Sequence, residues 1–332
     1  MTILWCGGED IDFSAGVPTA NGGGSSYRPG FARCSVNNSS VVTSSARSIA
    51  FSGGAVTSFW LHAQLYLGSF IANSRYIGLA QTANGTPSGL YVGNDSSGTV
   101  SNKLALWKLD GTTWTELASE VNTSLVTGPE NLDMHVANFG ASATVNIYLS
   151  NNLVLTYSGS TTISGVSNLD CVSLPGTNGG PYAYLSEVIV TDTVDTRAMS
   201  LLTMAPNAAG DVNNWTTGTY ANINPTAIND ASVIAVNTTG QDFQANLIDL
   251  PAGSFGIVQA VKAAVRSEIT AGAVPTSLKI GVKTNSTVNV DAGHAQTTAF
   301  LTYERLMPIN PVTSAAWLAS EMNPLQIDLQ SA

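Results

Sequence analysis

The chain has 332 residues, 44% of them apolar, a length beyond that at which a single hydrophobic core usually keeps growing and a composition rich enough for two. Only 10% of residues are Asp, Glu, Lys or Arg, against roughly a quarter in ordinary globular proteins, so Ser, Thr, Asn and Gly carry the surface. A formal net charge of −10, with twelve Lys and Arg and no basic cluster, weighs against a protein that tracks nucleic-acid phosphates.

The opening MTILWC reads as a strand. It has no basic segment followed by a long apolar core, and no apolar run in the chain approaches the roughly 18 residues of a membrane span, so neither a cleaved signal nor membrane insertion is expected. The loop ANGGGSSYRPG, with Gly22 to Gly24, lacks the Gly-Lys-Ser/Thr ending of a phosphate cradle. Cys6, Cys34 and Cys171 form no C-x-x-C pair, which supports neither a zinc knuckle nor a disulfide framework. A single Cys6–Cys34 bridge and three buried thiols both fit the spacing.

From there to about residue 205 the chain is a series of short β-runs at 58–67, 75–81, 89–92, 105–109, 132–138, 144–150 and 153–158, separated by Gly, Ser and Asn. Phe59, Leu61, Ala63, Leu65 and Leu67 alternate with Trp60, His62, Gln64 and Tyr66, and the first set is expected to face the core. Residues 145–159 form a hairpin around Ser150, Asn151 and Asn152, and 108–117 form another around Asp110 and Gly111. The run 182–191 predicts a strand with Tyr184, Ser186, Val188 and Val190 on one side and Leu185, Glu187, Ile189 and Thr191 on the other. Pro206 and Gly210 then read as a stop, with a seam near Gly210 that divides the chain into 1–205 and 206–332.

The second unit carries strand signals at 232–237, 243–247, 279–282 and 299–306. Residues 255–266 fit both helical and strand spacing and are read as strand, because Gly253, Gly256 and Gly272 bracket them. Thr313 is placed to cap a short helix over 314–322 containing Ala316 and Trp317, stopped by Pro324. The expected fold is all-β: a larger N-terminal sandwich and a smaller C-terminal β-sandwich ending in that helix.

The segments FWLHAQLYL (59–67), VNIYLSNNLVLTYSG (145–159) and LSEVIVTDTVDTRAM (185–199) resemble the laminin-G-like or concanavalin-A-like jelly-roll proteins found among tail and virion structural proteins of tailed bacteriophages. AVKAAVRSEITAG (260–272) and NPVTSAAWLASEMNPLQIDLQS (310–331) are similar to the terminal β-domain that follows in such proteins. The resemblance implies a jelly-roll over 1–205 and a non-enzymatic virion component: a tail-fibre, tail-tip or head-surface protein made in the host cytoplasm. It further implies a homo-oligomer whose partners are copies of itself, other virion proteins and a host-surface glycan. The compact Asp/Asn cluster of calcium-dependent lectin relatives is missing, and no cofactor or metal is expected.

Jelly-roll glycosidases need two acids facing one cleft, whereas Glu116 and Glu120 follow a hairpin, Glu187 stands alone, and Glu9, Asp10 and Asp12 lack a partner at the required period, so solvated acids are favoured. His62, His135 and His294 are too dispersed for a His-rich metal site, and no G-x-S-x-G elbow occurs. Trp60, Tyr66, Tyr91, Trp107 and Trp114, with His62 beside the first two, form the candidate set for glycan or subunit contact, the competing role being to fill the sandwich. A carbohydrate-binding receptor-recognition module is the alternative to the structural role, and a hydrolase using Glu116 or Glu187 is the third.

Overall fold

A computed structural model describes residues 2–7, 12, 47–51, 53–67, 70, 72–81, 87–98, 101–122, 124–175, 183–223, 230–250 and 256–332. The glycine loop, Cys34 and with it the Cys6–Cys34 pairing, Gly253 and Phe255, and the side chains of Tyr66, Tyr184 and Ser186 lie outside the described residues. The chain divides into two compact units: of the described residues, Asp12 and those from Thr203 onward belong to the second and the others to the first.

The first unit is a β-sandwich of two six-stranded antiparallel sheets. One sheet runs β1 (Ile3–Gly7), β12 (Ala183–Thr191), β3 (Phe59–Leu67), β8 (Gly128–Ala137), β9 (Ala143–Leu149), β10 (Asn152–Gly159). The other runs β2 (Arg47–Ala50), β11 (Cys171–Leu174), β4 (Arg75–Gln81), β5 (Ser88–Asn94), β6 (Leu104–Asp110), β7 (Thr113–Ser119). The alternation read in β3 sets its inner face: Phe59, Leu61, Ala63, Leu65 and Leu67 are all buried, and each such large side chain contributes about 1.5–3 kcal/mol. Ile77, Leu79, Leu90, Val92, Leu104 and Leu106 form the matching aliphatic face of the second sheet. Both predicted hairpins form. Ser150 and Asn151 adopt φ of 46° and 70° between β9 and β10, and Gly111 adopts 62° between β6 and β7.

The strict alternation expected along 182–191 breaks at Glu187. This residue has φ of 51°, and the β12–β3 register slips between Ser186 and Ile189. The extra residue reverses the phase, so that Leu185, Val188 and Val190 all face inward and Ile189 lies opposite His62 on the outer face.

The second unit is a two-layer β-structure. Its main sheet runs β13 (Pro206–Asn213), β14 (Asp242–Leu247), β20 (Gln326–Ser331), β16 (Ser277–Thr284), β17 (Thr287–Val290), with β18 (His294–Ala295) pairing to β16. A two-stranded ribbon of β15 (Val261–Ser267) and β19 (Leu301–Met307) packs on it through Ala263, Met307, Ile280, Val282, Trp317 and Leu325. The ambiguous stretch ending at Arg266 is thus a strand over its second half.

Three expectations for this unit are corrected. Pro206 and Gly210 do not stop a segment; they lie within edge strand β13, where proline is tolerated at the first position, and a Cβ at Gly210 would sit 2.5 Å from the Gln244 carbonyl carbon. Residues 232–237 make only an isolated bridge, between Thr217 and Ala235, and join no sheet. The helix over 314–322 shrinks to a single 3-10 turn, Ala319–Glu321. Asn310 holds the preceding chain in a tight loop, with its Oδ1 accepting from Val312 N and its carbonyl accepting from Ser314 N, while Ser314 has φ of 57°. Trp317 then anchors by donating from Nε1 to Met307 O.

Candidate functional site

The sheet register splits the candidate contact residues between the two outer faces of the first unit. On the first sheet, β3 places Trp60 opposite His135 of β8, and His62 opposite Asp133, which in turn faces Tyr148 of β9. Trp60 and His135 stack with ring centroids 4.4 Å apart and 14° between planes, and Tyr148 continues the row at 5.9 Å from Trp60. Trp60 is nearly covered, at 9% exposure, whereas His135, Tyr148 and Asn146 are partly open and Thr156 and Leu153 are exposed. Asn146 accepts from the Thr156 hydroxyl at 3.0 Å, so the rim of the row is a patch of amide and hydroxyl groups. In the backbone register Tyr66 of β3 pairs with Pro129 of β8.

Beside the row, on the same face of the sheet, is a buried polar cluster. His62 Nδ1 and Asp133 Oδ1 are 2.8 Å apart, both side chains are 1% exposed, and Thr196 donates its hydroxyl to the same oxygen at 2.8 Å. His62 Nε2 and Asp133 Oδ2 are buried with no hydrogen-bond partner among the described residues. The Thr196 contact pins the segment after β12 across the sheet and so places Arg197 over Tyr148 at 4.5 Å and Trp60 at 5.5 Å. Arg197 Nε lies 3.0 Å from both oxygens of Asp195. That hydrogen bonding holds the Asp195 carboxyl below its usual range and raises Arg197. Burial keeps His135 below the ordinary imidazole value, with Asp195 opposing and Arg197 reinforcing the shift, so the ring stacked on Trp60 is held toward its neutral form. Burial likewise raises Glu187, against the Leu201 backbone N–H and the nearby His62.

On the second sheet, Tyr91, Trp107 and Trp114 do come together, but as a buried cluster with Ala80, Ala105, Leu109 and Cys171. Tyr91 is 0% and Trp107 3% exposed; of the three, only Trp114 is partly open. Tyr91 and Trp114 meet edge to face at 4.9 Å, and Trp107 donates from Nε1 to Asn94 O. Arg75 lies over both indoles, 4.0 Å from the Trp107 ring and 4.6 Å from Trp114. Burial lowers its pKa to about 10, and Glu116 opposes the shift.

The sequence reading thus found the aromatic residues without their division into two faces. It missed His135, Tyr148, Arg75 and Arg197 as neighbours of those rings. The period-two pattern of β8 and β9 placed His135 and Tyr148 on the outward phase, but nothing local to Arg197 showed that Thr196 carries it onto the sheet. Glu116 and Glu187 stand on different sheets, β7 and β12.

No protein-family description matches the chain, and no curated protein is similar to it. Among solved structures it is similar to a carbohydrate-binding module, CBM66, of Bacillus subtilis, at 13% identity and a TM-score of 0.30 over 44% of this chain and 81% of that one. Domain 4 of the arabinanase AbnA of Geobacillus stearothermophilus, in complex with arabinotriose, gives 12%, 0.32, 56% and 80%, and the galectin LEC-6 of Caenorhabditis elegans gives 15%, 0.30, 45% and 92%. Likenesses this distant transfer neither binding residues nor ligands to the present chain.

Proposed function

We propose that the first unit is a glycan-recognition module whose contact surface is the outer face of its first sheet. The observation that carries this reading is the stacked Trp60–His135–Tyr148 row, drawn from three adjacent strands and bordered by Asn146, Thr156 and Arg197. A sugar ring offers an apolar C–H face and a rim of hydroxyls. The partly open rings of Tyr148 and His135 suit the first, and planar amide and guanidinium groups suit the second. Trp60 and His62 support the surface from below, and Tyr148 and His135 meet the ligand. The reading is non-catalytic: glycoside hydrolysis requires two carboxyls flanking one bond, about 5–9.5 Å apart, and Glu116 and Glu187 belong to opposite sheets. Screening the whole chain on a glycan array tests this reading, which fails if no glycan is retained.

A second reading, that the chain is a homo-oligomeric virion subunit of the tailed-phage kind and presents this module, draws on the sequence resemblance and on one feature of the second unit. There Ile257, Val274, Ile309 and Leu318 are 50–80% exposed on a chain with few charges, a surface suited to burial against further copies. Sedimentation equilibrium tests it: a concentration-independent monomer would exclude the oligomer.

A further inference from the structure

Arg75 is the unusual cation of the first unit. Among arginines whose side chains are described, Arg197 and Arg266 pair with Asp195 and Asp230, and Arg305 donates to the carbonyls of Ile280 and Asn289. Arg75 has no hydrogen-bond or ion-pair partner among the described residues, and its Nε–H is fully enclosed. The cross-strand position that would ordinarily supply a counter-ion is Gly93, where a Cβ would lie 2.0 Å from the Ser74 carbonyl oxygen, so no side chain can stand there. Glu116 is close enough to favour the charged guanidinium, yet its Oε2 is engaged by Ser96 N at 2.7 Å. The indoles of Trp107 and Trp114 frame the guanidinium, and Trp107 is itself fixed by its bond to Asn94 O. A charged donor fork held in place, short of acceptors and part-exposed is organised for an anion from outside the protein.

We propose that Arg75, between Trp107 and Trp114, binds the carboxylate of a uronic-acid residue in an acidic glycan. The inference rests on the glycan reading of this unit and adds a second subsite with a defined ligand class. A carboxylate matches the guanidinium edge in a planar, two-bond geometry that a neutral hydroxyl cannot reproduce. The sugar ring behind that carboxylate then lies along the partly open face of Trp114, beside the exposed hydroxyls of Thr113 and Thr115. Glu116 repels the incoming charge and so limits the affinity of the site.

Calorimetric titration of the full chain with a galacturonate trisaccharide, its methyl ester and a tri-glutamate peptide tests the assignment. The acid is expected to bind at least about tenfold more tightly than the ester, the discrimination given by a charge-assisted hydrogen-bond pair. Arg75→Gln is expected to erase that difference, Arg75→Lys to retain part of it with the fold preserved by circular dichroism, and Glu116→Gln to tighten the acid. Equal binding of acid and ester, or full discrimination in both Arg75 variants, would overturn the proposal, and equal binding of the peptide would overturn the sugar class. If neutral glycans bind and the acid has no advantage, only the Arg75 subsite falls; if no sugar binds, the glycan reading falls with it.

Discussion

The Thr196 hydroxyl reaches across 63 residues of sequence to donate to Asp133 Oδ1 at 2.8 Å, and that bond fixes where Arg197 stands. Because Asp133 is 0% exposed and its other oxygen has no hydrogen-bond partner among the described residues, the hydroxyl is one of few donors to a buried carboxylate. Thr196→Val keeps the shape and removes the donor. It is expected to cost about 1–3 kcal/mol in urea unfolding and to weaken glycan binding by freeing Arg197. A variant as stable as the parent would show that Asp133 does not depend on this bond.

Glu187 makes the bulge that reverses the phase of β12, at φ of 51°. A β-branched residue tolerates that backbone poorly and asparagine tolerates it well, so Glu187→Val is expected to be about 1–2 kcal/mol less stable than Glu187→Asn in the same unfolding assay. Equal stabilities would contradict a requirement for the left-handed conformation.

Asp328, on the central strand of the second unit, is 0% exposed. One of its oxygens accepts from Gln244 Nε2 at 2.8 Å and the other has no hydrogen-bond partner among the described residues. Burial raises its pKa from the ordinary 3.8, with Gln244 and Lys283 opposing and Asp242 reinforcing the shift. The folded state therefore holds this proton more tightly than the unfolded chain. The resulting stabilisation is fully present below the ordinary carboxylate value and is lost as pH rises through the elevated one. Asp328→Asn is expected to remove this loss, so the difference in stability between variant and parent grows in the variant's favour from about pH 4 upward. A difference that is flat with pH would contradict it.

Burial pushes the Cys171 thiol up to about 12, with Asp170 adding to the shift, and its Sγ donates to Ala80 O at 3.1 Å. In a background with Cys6→Ser and Cys34→Ser, Cys171 is expected to resist thiol reagents at pH 8 and to react only on unfolding. Stoichiometric labelling of the native protein would show that the strand pair β11–β4 opens locally.

The sandwich was legible because period-two patterning needs only near neighbours: β3, β4 and both hairpins follow from apolar alternation and turn chemistry. What failed depended on distant partners. The phase change at Glu187 is a local insertion invisible to a strict two-residue period. The 232–237 run has strand-forming side chains yet pairs only through the Thr217–Ala235 bridge, and Trp317 sits beyond a loop closed by Asn310 instead of on a helix. Strand β20 ends the chain as the central partner of β14 and β16, a role its polar Gln326 and Asp328 did not announce. At the candidate site the sequence supplied aromatic residues but not their exposure, and it left Arg75 unnoticed because an unpaired cation is defined by what does not surround it.

The central claim is that a glycan lies on the Trp60–His135–Tyr148 row, and the most direct measurement is calorimetric titration of parent and Tyr148→Ala with a neutral glycan retained on the array. Tyr148 is partly exposed and lies outside the core, so the variant should fold normally while affinity falls about tenfold or more, as for loss of an aromatic anchor. Unchanged affinity in a folded Tyr148→Ala protein would contradict the placement of the ligand on this sheet.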